Sequence, residues 1–154
     1  MNSELEELYQ EVLLDHSKRP RNFGEIAEGA VHVHGDNPSC GDEIHLHVKF
    51  GADGSVDDVK FTGQGCAISQ ASASMMTESV KGHPTTDAST LAAGFKDLMS
   101  GTGSTDGLAG YEDLESLQGV KKFPVRVKCA LLPWTALLEI IETWEHALSH
   151  PNKG

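Results

Sequence analysis

The sequence is poor in cysteine, aromatic residues, basic residues and long apolar runs, and each shortage argues against a class of protein. Its 154 residues include 3 cysteines, 6% aromatics, and 12 lysines and arginines against 23 acids. Three thiols cannot all pair, which argues against a disulfide-stapled secreted scaffold. The net charge of -11 opposes binding to nucleic-acid phosphates and to anionic membrane surfaces. We therefore expect proteins or cations as partners.

No segment has the pattern of a membrane span or a secretory leader. The first residues, MNSELEELYQ, are acidic, and the most apolar stretch, Cys129 to Leu138, is too short to cross a bilayer. The length suits one domain with its own core. We expect a single domain over residues 1–154, located in the cytoplasm with its cysteines reduced, and no nucleic-acid or membrane partner.

Hydrophobic periodicity predicts a helix followed by a small sheet. Apolar residues recur at helical spacing between Ser3 and His16. Three alternating segments then predict antiparallel strands, at Ala30 to His34, Ile44 to Phe50 and Val56 to Thr62. The last two are separated by the turn sequence GADGS, which indicates a hairpin.

The remaining chain predicts mostly helices. The expected elements are a helix from Cys66 to Gly82, a helix from Thr86 to Met99, a loop at SGTGSTDGLAG, a short helical turn at DLESLQG, a short helix from Pro124, and a last helix that starts or kinks at Pro133. Together these elements predict an α+β fold, with helices packed on one face of a small three-stranded antiparallel sheet.

The three cysteines lie in local contexts that favour chemistry over packing, although each is also compatible with a small buried hydrophobe. Cys40 lies in the turn sequence NPSCGD, where a buried thiol has little to pack against. Cys66 lies in GQGCA, at a predicted helix start that favours an anion. Cys129 follows Arg126 and Lys128, two cations that favour a thiolate.

If the three thiolates converge, one further ligand completes a tetrahedral metal site. Asp42 is the nearest donor, because a turn at Gly41 can bring its side chain beside Cys40. A carboxylate oxygen among soft sulfur ligands exchanges more easily than a fourth thiolate. Arg126 could offset the excess negative charge, and its alternative role is a solvated surface arginine. The wide spacing of the cysteines is by itself a weak signal.

Histidines recur with period two in two of the predicted strands. His32 and His34 share one face of their strand, and His45 and His47 share one face of theirs. No cysteine or acid joins this rhythm. We interpret the histidines as the polar faces of half-buried strands and not as metal ligands.

Three separated motifs resemble the IscU/SufU family of iron–sulfur cluster assembly proteins, whose domain is NifU N-terminal-like. They are NPSCGDEI, FTGQGCAISQASASMM and GVKKFPVRVKCALLPW, in the family's order, and the resemblance runs from Tyr9 to Trp144. It implies the family's three-stranded sheet with packed helices. It also implies a set of metal or cluster ligands: Cys40, Asp42, Cys66 and Cys129.

Three departures from IscU make the chain look like the SufU branch. Lys128 stands where IscU-type scaffolds have a histidine, FPVRVK replaces the LPPVK segment that IscU presents to its chaperone, and the stretch from Cys66 to Cys129 is longer. The SufU resemblance implies a zinc-bound sulfur acceptor. In the family picture, a histidine of a SufS-type, pyridoxal-phosphate cysteine desulfurase displaces Cys40 from zinc. Cys40 then accepts persulfide sulfur for downstream iron–sulfur scaffold proteins.

Two other functions remain open from the sequence. The first is an IscU-type scaffold that assembles and transfers an iron–sulfur cluster, because thiolates bind such clusters as well as zinc. The second is a purely structural zinc domain with a protein-binding helix face, which an exchangeable aspartate ligand disfavours.

Overall fold

A computed structural model describes residues 3–38, 41–100 and 112–149, with side chains described over 9–38, 41–100 and 113–148. Cys40 and most of the predicted SGTGSTDGLAG loop therefore lie outside the described residues.

The sheet has three antiparallel strands in the order β1-β2-β3. They are β1 (Val31–Asn37), β2 (Asp42–Phe50) and β3 (Val56–Gln64). In β2 the even-numbered residues from Asp42 to Val48 are buried and the odd-numbered ones between them are half-buried. One sheet face therefore packs on the helices and the other meets solvent, as alternation predicts for such a sheet.

Five α-helices and one 3₁₀ helix complete the described part of the chain. They are α1 (Ser3–Lys18), α2 (Ala67–Val80), α3 (Thr85–Met99), α4 (Glu112–Glu115), the 3₁₀ helix Ser116–Lys122 and α5 (Pro124–Ser149). The predicted α+β fold class, with helices on one face of a three-stranded sheet, is confirmed. None of the helices in the described ranges is long and apolar enough to cross a membrane.

The prediction of a separate last helix at Pro133 is wrong. Pro133 lies inside α5, which runs unbroken from Pro124 to Ser149. Proline removes one helical N–H group and crowds the preceding turn. The neighbouring helix α2 packs against this turn, where the Ser72 hydroxyl donates to the Ala130 carbonyl at 2.6 Å and accepts from Trp134 Nε1 at 3.1 Å. Cys129 is consequently carried by the long helix.

The core lies between the sheet and the two helices α2 and α5. Leu46, Val48 and Phe61 from the sheet are at most 1% exposed, as are Met76 and Trp134 from the helices. Ser72 of α2 is 0% exposed and hydrogen-bonds to Ala130 and Trp134 of α5. This contact fixes α5, and with it Cys129, relative to α2 and Cys66.

Candidate metal centre

Asp42 begins β2 and is directed into the protein. It is 2% exposed, and its register partner is Asn37, the last residue of β1. Gly41, just before it, has a φ of 71°, a left-handed conformation that glycine adopts without steric cost. The turn into β2 thus delivers a carboxylate to the buried side of the sheet.

Cys66 lies at the N-cap of α2, with φ −74° and ψ 166°. Its backbone N–H donates a hydrogen bond of 2.9 Å to Asp42 Oδ1. The N-terminus of a helix carries a partial positive charge, which stabilises both a carboxylate and a thiolate placed there. The start of β2 and the start of α2 are therefore joined at this point, and the predicted helix start at Cys66 is confirmed.

The second carboxylate oxygen of Asp42 has no such partner. Oδ2 is buried, and no group in the described part of the chain forms a hydrogen bond with it. A buried carboxylate oxygen without a donor carries a desolvation cost, and buried polar atoms in proteins are normally satisfied. A bound cation would satisfy it.

Two thiols face this carboxylate. A carboxylate oxygen of Asp42 and the Sγ atoms of Cys66 and Cys129 all lie within 4.8 Å of one another. Cys129 is 0% exposed, whereas Cys66 is half-buried at the rim. Zinc is bound by just these donors, at distances of about 2.0–2.3 Å in a tetrahedron. The donor set therefore fits zinc, and the fourth predicted ligand, Cys40, precedes the described Gly41 by one residue.

Asn37 is a site residue that the sequence did not single out. Its Nδ2 donates to Cys129 Sγ at 3.9 Å, and it is itself 8% exposed. Cys129 Sγ also lies 3.7 Å from the Val125 carbonyl, to which it donates as a thiol. The available signal was the motif itself, because Asn37 opens NPSCGD and the register pairs it with Asp42.

Arg126 lies at the exposed start of α5, beside both thiols. The pKa of its guanidinium is raised, first by a hydrogen bond with Cys129, then by the charge of Cys66 and a hydrogen bond with that residue. The sequence predicted proximity to Cys129 alone. With Cys66 included, Arg126 is placed to offset negative charge on two thiolates.

Gly65 keeps space open for the Asp42 carboxylate. A Cβ atom at this position would lie 2.2 Å from Asp42 Oδ1 and 2.7 Å from Ser69 Oγ. Since that carboxylate is buried and already hydrogen-bonded, we expect Gly65→Ala to weaken zinc binding by about 10–100-fold, the usual effect of disturbing a ligand's support. Competition with a chromophoric chelator measures the affinity. Gly119→Ala is the matched control, because nothing lies within 4 Å of its added Cβ. Equal affinities for the two variants would contradict the role of Gly65.

Comparison with known proteins places the chain in a family. The model of the NifU-like N terminal domain matches residues 8–130, which include the candidate centre. The chain belongs to the NifU-like N-terminal domain family. The resemblance to iron–sulfur cluster assembly proteins predicted from the three motifs is thereby confirmed.

Relatives within the NifU-like family carry two different descriptions. The chain is 47% identical over 136 residues to the zinc-dependent sulfurtransferase SufU of Bacillus subtilis, covering 88% of this chain and 90% of that one. It is 44% identical over 140 residues to the iron–sulfur cluster assembly scaffold protein IscU of Streptococcus pyogenes serotype M1, covering 91% of this chain and 86% of that one.

A solved NifU-like structure shares the fold. The crystal structure of a candidate iron–sulfur cluster assembly scaffold protein for the SUF system, from Fervidobacterium islandicum AW-1, superposes with a TM-score of 0.77 at 36% identity. The match covers 85% of this chain and 94% of that one. The fold that positions Asp42, Cys66 and Cys129 in this chain is thus shared with that structure.

Proposed function

We propose that this protein is a zinc-dependent sulfur acceptor of iron–sulfur cluster assembly in the cytoplasm, which takes persulfide sulfur from a SufS-type cysteine desulfurase onto Cys40. The observation that carries the proposal is the mixed donor set, in which the Asp42 carboxylate, with one buried oxygen unpartnered within the described part of the chain, lies beside the thiols of Cys66 and Cys129. The similarity to a relative described as a zinc-dependent sulfurtransferase supports the same function.

The residues proposed to hold zinc are Cys40, Asp42, Cys66 and Cys129. Bound zinc supplies a strong positive charge that keeps its cysteine ligands deprotonated. The chain holds these proposed ligands to different degrees. Cys129 is fully buried in α5, and Asp42 is held by the Cys66 N–H. Cys40 falls in the sequence between the end of β1 and the start of β2. Cys40 is therefore proposed as the residue that reacts.

The proposed transfer is a thiolate displacement. The Cys40 thiolate attacks the outer sulfur of the desulfurase persulfide, a bond forms between Cys40 Sγ and that sulfur, and the persulfide's S–S bond breaks. The electron pair of the broken bond leaves on the desulfurase cysteine as a thiolate. Arg126, beside Cys66 and Cys129, offsets the negative charge that gathers at the centre. Downstream iron–sulfur scaffold proteins then receive the sulfur.

An IscU-type scaffold is the competing function, favoured by the similarity to a relative described as an IscU scaffold. Metal analysis of protein purified without oxygen separates the two. A sulfur acceptor is expected to contain close to one zinc per chain, no iron and no visible absorbance. Stoichiometric iron and sulfide with visible charge-transfer bands would instead establish the scaffold.

A further inference from the structure

The solvent face of the sheet carries four of the chain's 8 histidines. The register places His32 opposite His47 and His34 opposite His45, so all four side chains project from the same face. From the sequence we placed each pair on one face of its own strand and interpreted both pairs as ordinary polar surface. The pairing of β1 with β2 makes them one cluster.

The four imidazoles form a continuous row. The ring of His34 stacks on His45 at a centroid distance of 4.5 Å, His45 on His32 at 5.3 Å, and His32 on His47 at 4.7 Å. Close stacking of this kind disfavours positive charge on neighbouring rings. Burial, followed by His32 and His45, lowers the pKa of His47, and Glu25 partly opposes that shift. The lowered pKa of His47 favours its neutral form, which is the form of imidazole that binds metals.

Two nitrogens at the centre of the row have the separation found between ligands of one ion. His32 Nε2 lies 3.1 Å from His45 Nδ1. Two nitrogens bound to zinc at about 2.0–2.1 Å are roughly 2.9–3.4 Å apart, depending on the angle between them. Both imidazoles can bind while neutral, because each keeps one N–H on its other nitrogen.

The residues around His32 and His45 favour metal binding at the His34 end of the row over the His47 end. His34 is 47% exposed, its ring stacks on His45, and its Nε2 lies 3.9 Å from Glu43 Oε2. Its nitrogens do not lie within 4.8 Å of both nitrogens of the pair, so His34 joins the same ion only after its ring rotates. At the other end, the register partner of His47 on β3 is Lys60, a cation that opposes another positive charge. The carboxylate end is therefore the better place for a metal ion.

We propose that His32 and His45, with His34 as a third donor, form a second metal site that accepts a divalent transition-metal ion such as zinc, nickel or copper. Imidazole nitrogen suits all three ions. His45 lies three positions after Asp42 on β2, about 10 Å along the strand, and the two side chains project from opposite faces. The site is thus distinct from the cysteine centre and independent of the proposed function.

Zinc stoichiometry tests the second site. Wild-type protein and variants are dialysed against micromolar free zinc, and bound zinc per chain is counted. At this zinc concentration we expect His32→Ala and His45→Ala each to hold one ion fewer than the wild type, because each weakens the affinity of the second site by about tenfold or more. His47→Ala is expected to weaken that affinity less. The readout is a difference between proteins, so it does not depend on how full the cysteine centre is.

His146→Ala is the matched control, since it removes one exposed histidine of α5 that is not part of the histidine row. It is expected to bind as much zinc as the wild type. The proposal is overturned if wild type and His45→Ala bind equal amounts of zinc at every concentration, or if His146→Ala loses as much as His45→Ala does. Unchanged thermal melting of the variants shows that a lost ion is not a lost fold.

Discussion

Cys40→Ala is expected to reduce sulfide release by the desulfurase to the rate of the desulfurase alone, even with zinc in excess. The reason is chemical, because alanine has no sulfur to attack the persulfide, and neither of the two described thiols is fully exposed. Cys129 is fully buried in α5, and Cys66 is half-buried with its backbone tied to Asp42. Sulfide release from L-cysteine in the presence of a reductant measures the effect.

Asp42→Ala is the comparison that separates sulfur acceptance from metal binding. It removes a proposed ligand but leaves Cys40 in place, so excess zinc should restore part of its activity and none of the activity of Cys40→Ala. Activation of the desulfurase by Cys40→Ala as strong as that by the wild type would show that Cys40 is not the acceptor.

The second large effect concerns stability. Removing zinc from the wild type with a chelator is expected to lower the melting temperature by roughly 8–16 °C. Zinc at about a thousand times its Kd stabilises the fold by about 4.1 kcal/mol. For a domain of this size, about 1 kcal/mol moves the melting temperature by roughly 2–4 °C. The physical cause is that the ion ties β2, α2 and α5 together at three residues whose donor atoms already converge.

In Asp42→Ala the same chelation should have a much smaller effect. If the variant binds zinc about a hundredfold more weakly, the same zinc concentration stabilises it by about 1.4 kcal/mol. The corresponding shift is roughly 3–6 °C. Asp36→Ala is the control, because Asp36 is an exposed acid on β1. Calorimetry with and without chelator measures all three proteins, and a full-sized shift in Asp42→Ala would show that its orphaned oxygen does not bind the ion.

The sequence predicted those parts of the site that depend on local chain geometry. Glycines around Cys66 indicated a helix start, and the structure has Cys66 at the N-cap of α2. A turn at Gly41 was predicted, and Gly41 has the left-handed φ of 71°; the predicted placement of Asp42 beside Cys40 stays a prediction, because Cys40 lies outside the described residues. Both results follow from backbone conformations that only a few residue types accept.

Features that depend on tertiary contacts were not predictable in the same way. Pro133 suggested a helix boundary because local sequence rules do not include contacts between helices. One such contact is made by Ser72 of α2, which hydrogen-bonds to Ala130 and Trp134 on either side of Pro133. The histidines were interpreted as two separate polar faces because alternation within a strand does not reveal how two strands pair. The register of β1 with β2 brings His32 and His45 within hydrogen-bond distance. The unpartnered oxygen of Asp42 likewise becomes visible only when its neighbours are placed.

The most direct test of the proposed function is to locate the transferred sulfur. The zinc-loaded protein is incubated with the desulfurase and L-cysteine without reductant, its thiols are alkylated, and its peptides are analysed by mass spectrometry. The account predicts one extra sulfur atom on the peptide that contains Cys40, and none on those containing Cys66 or Cys129. Extra sulfur on Cys66 or Cys129 instead, or on no cysteine at all, would contradict it.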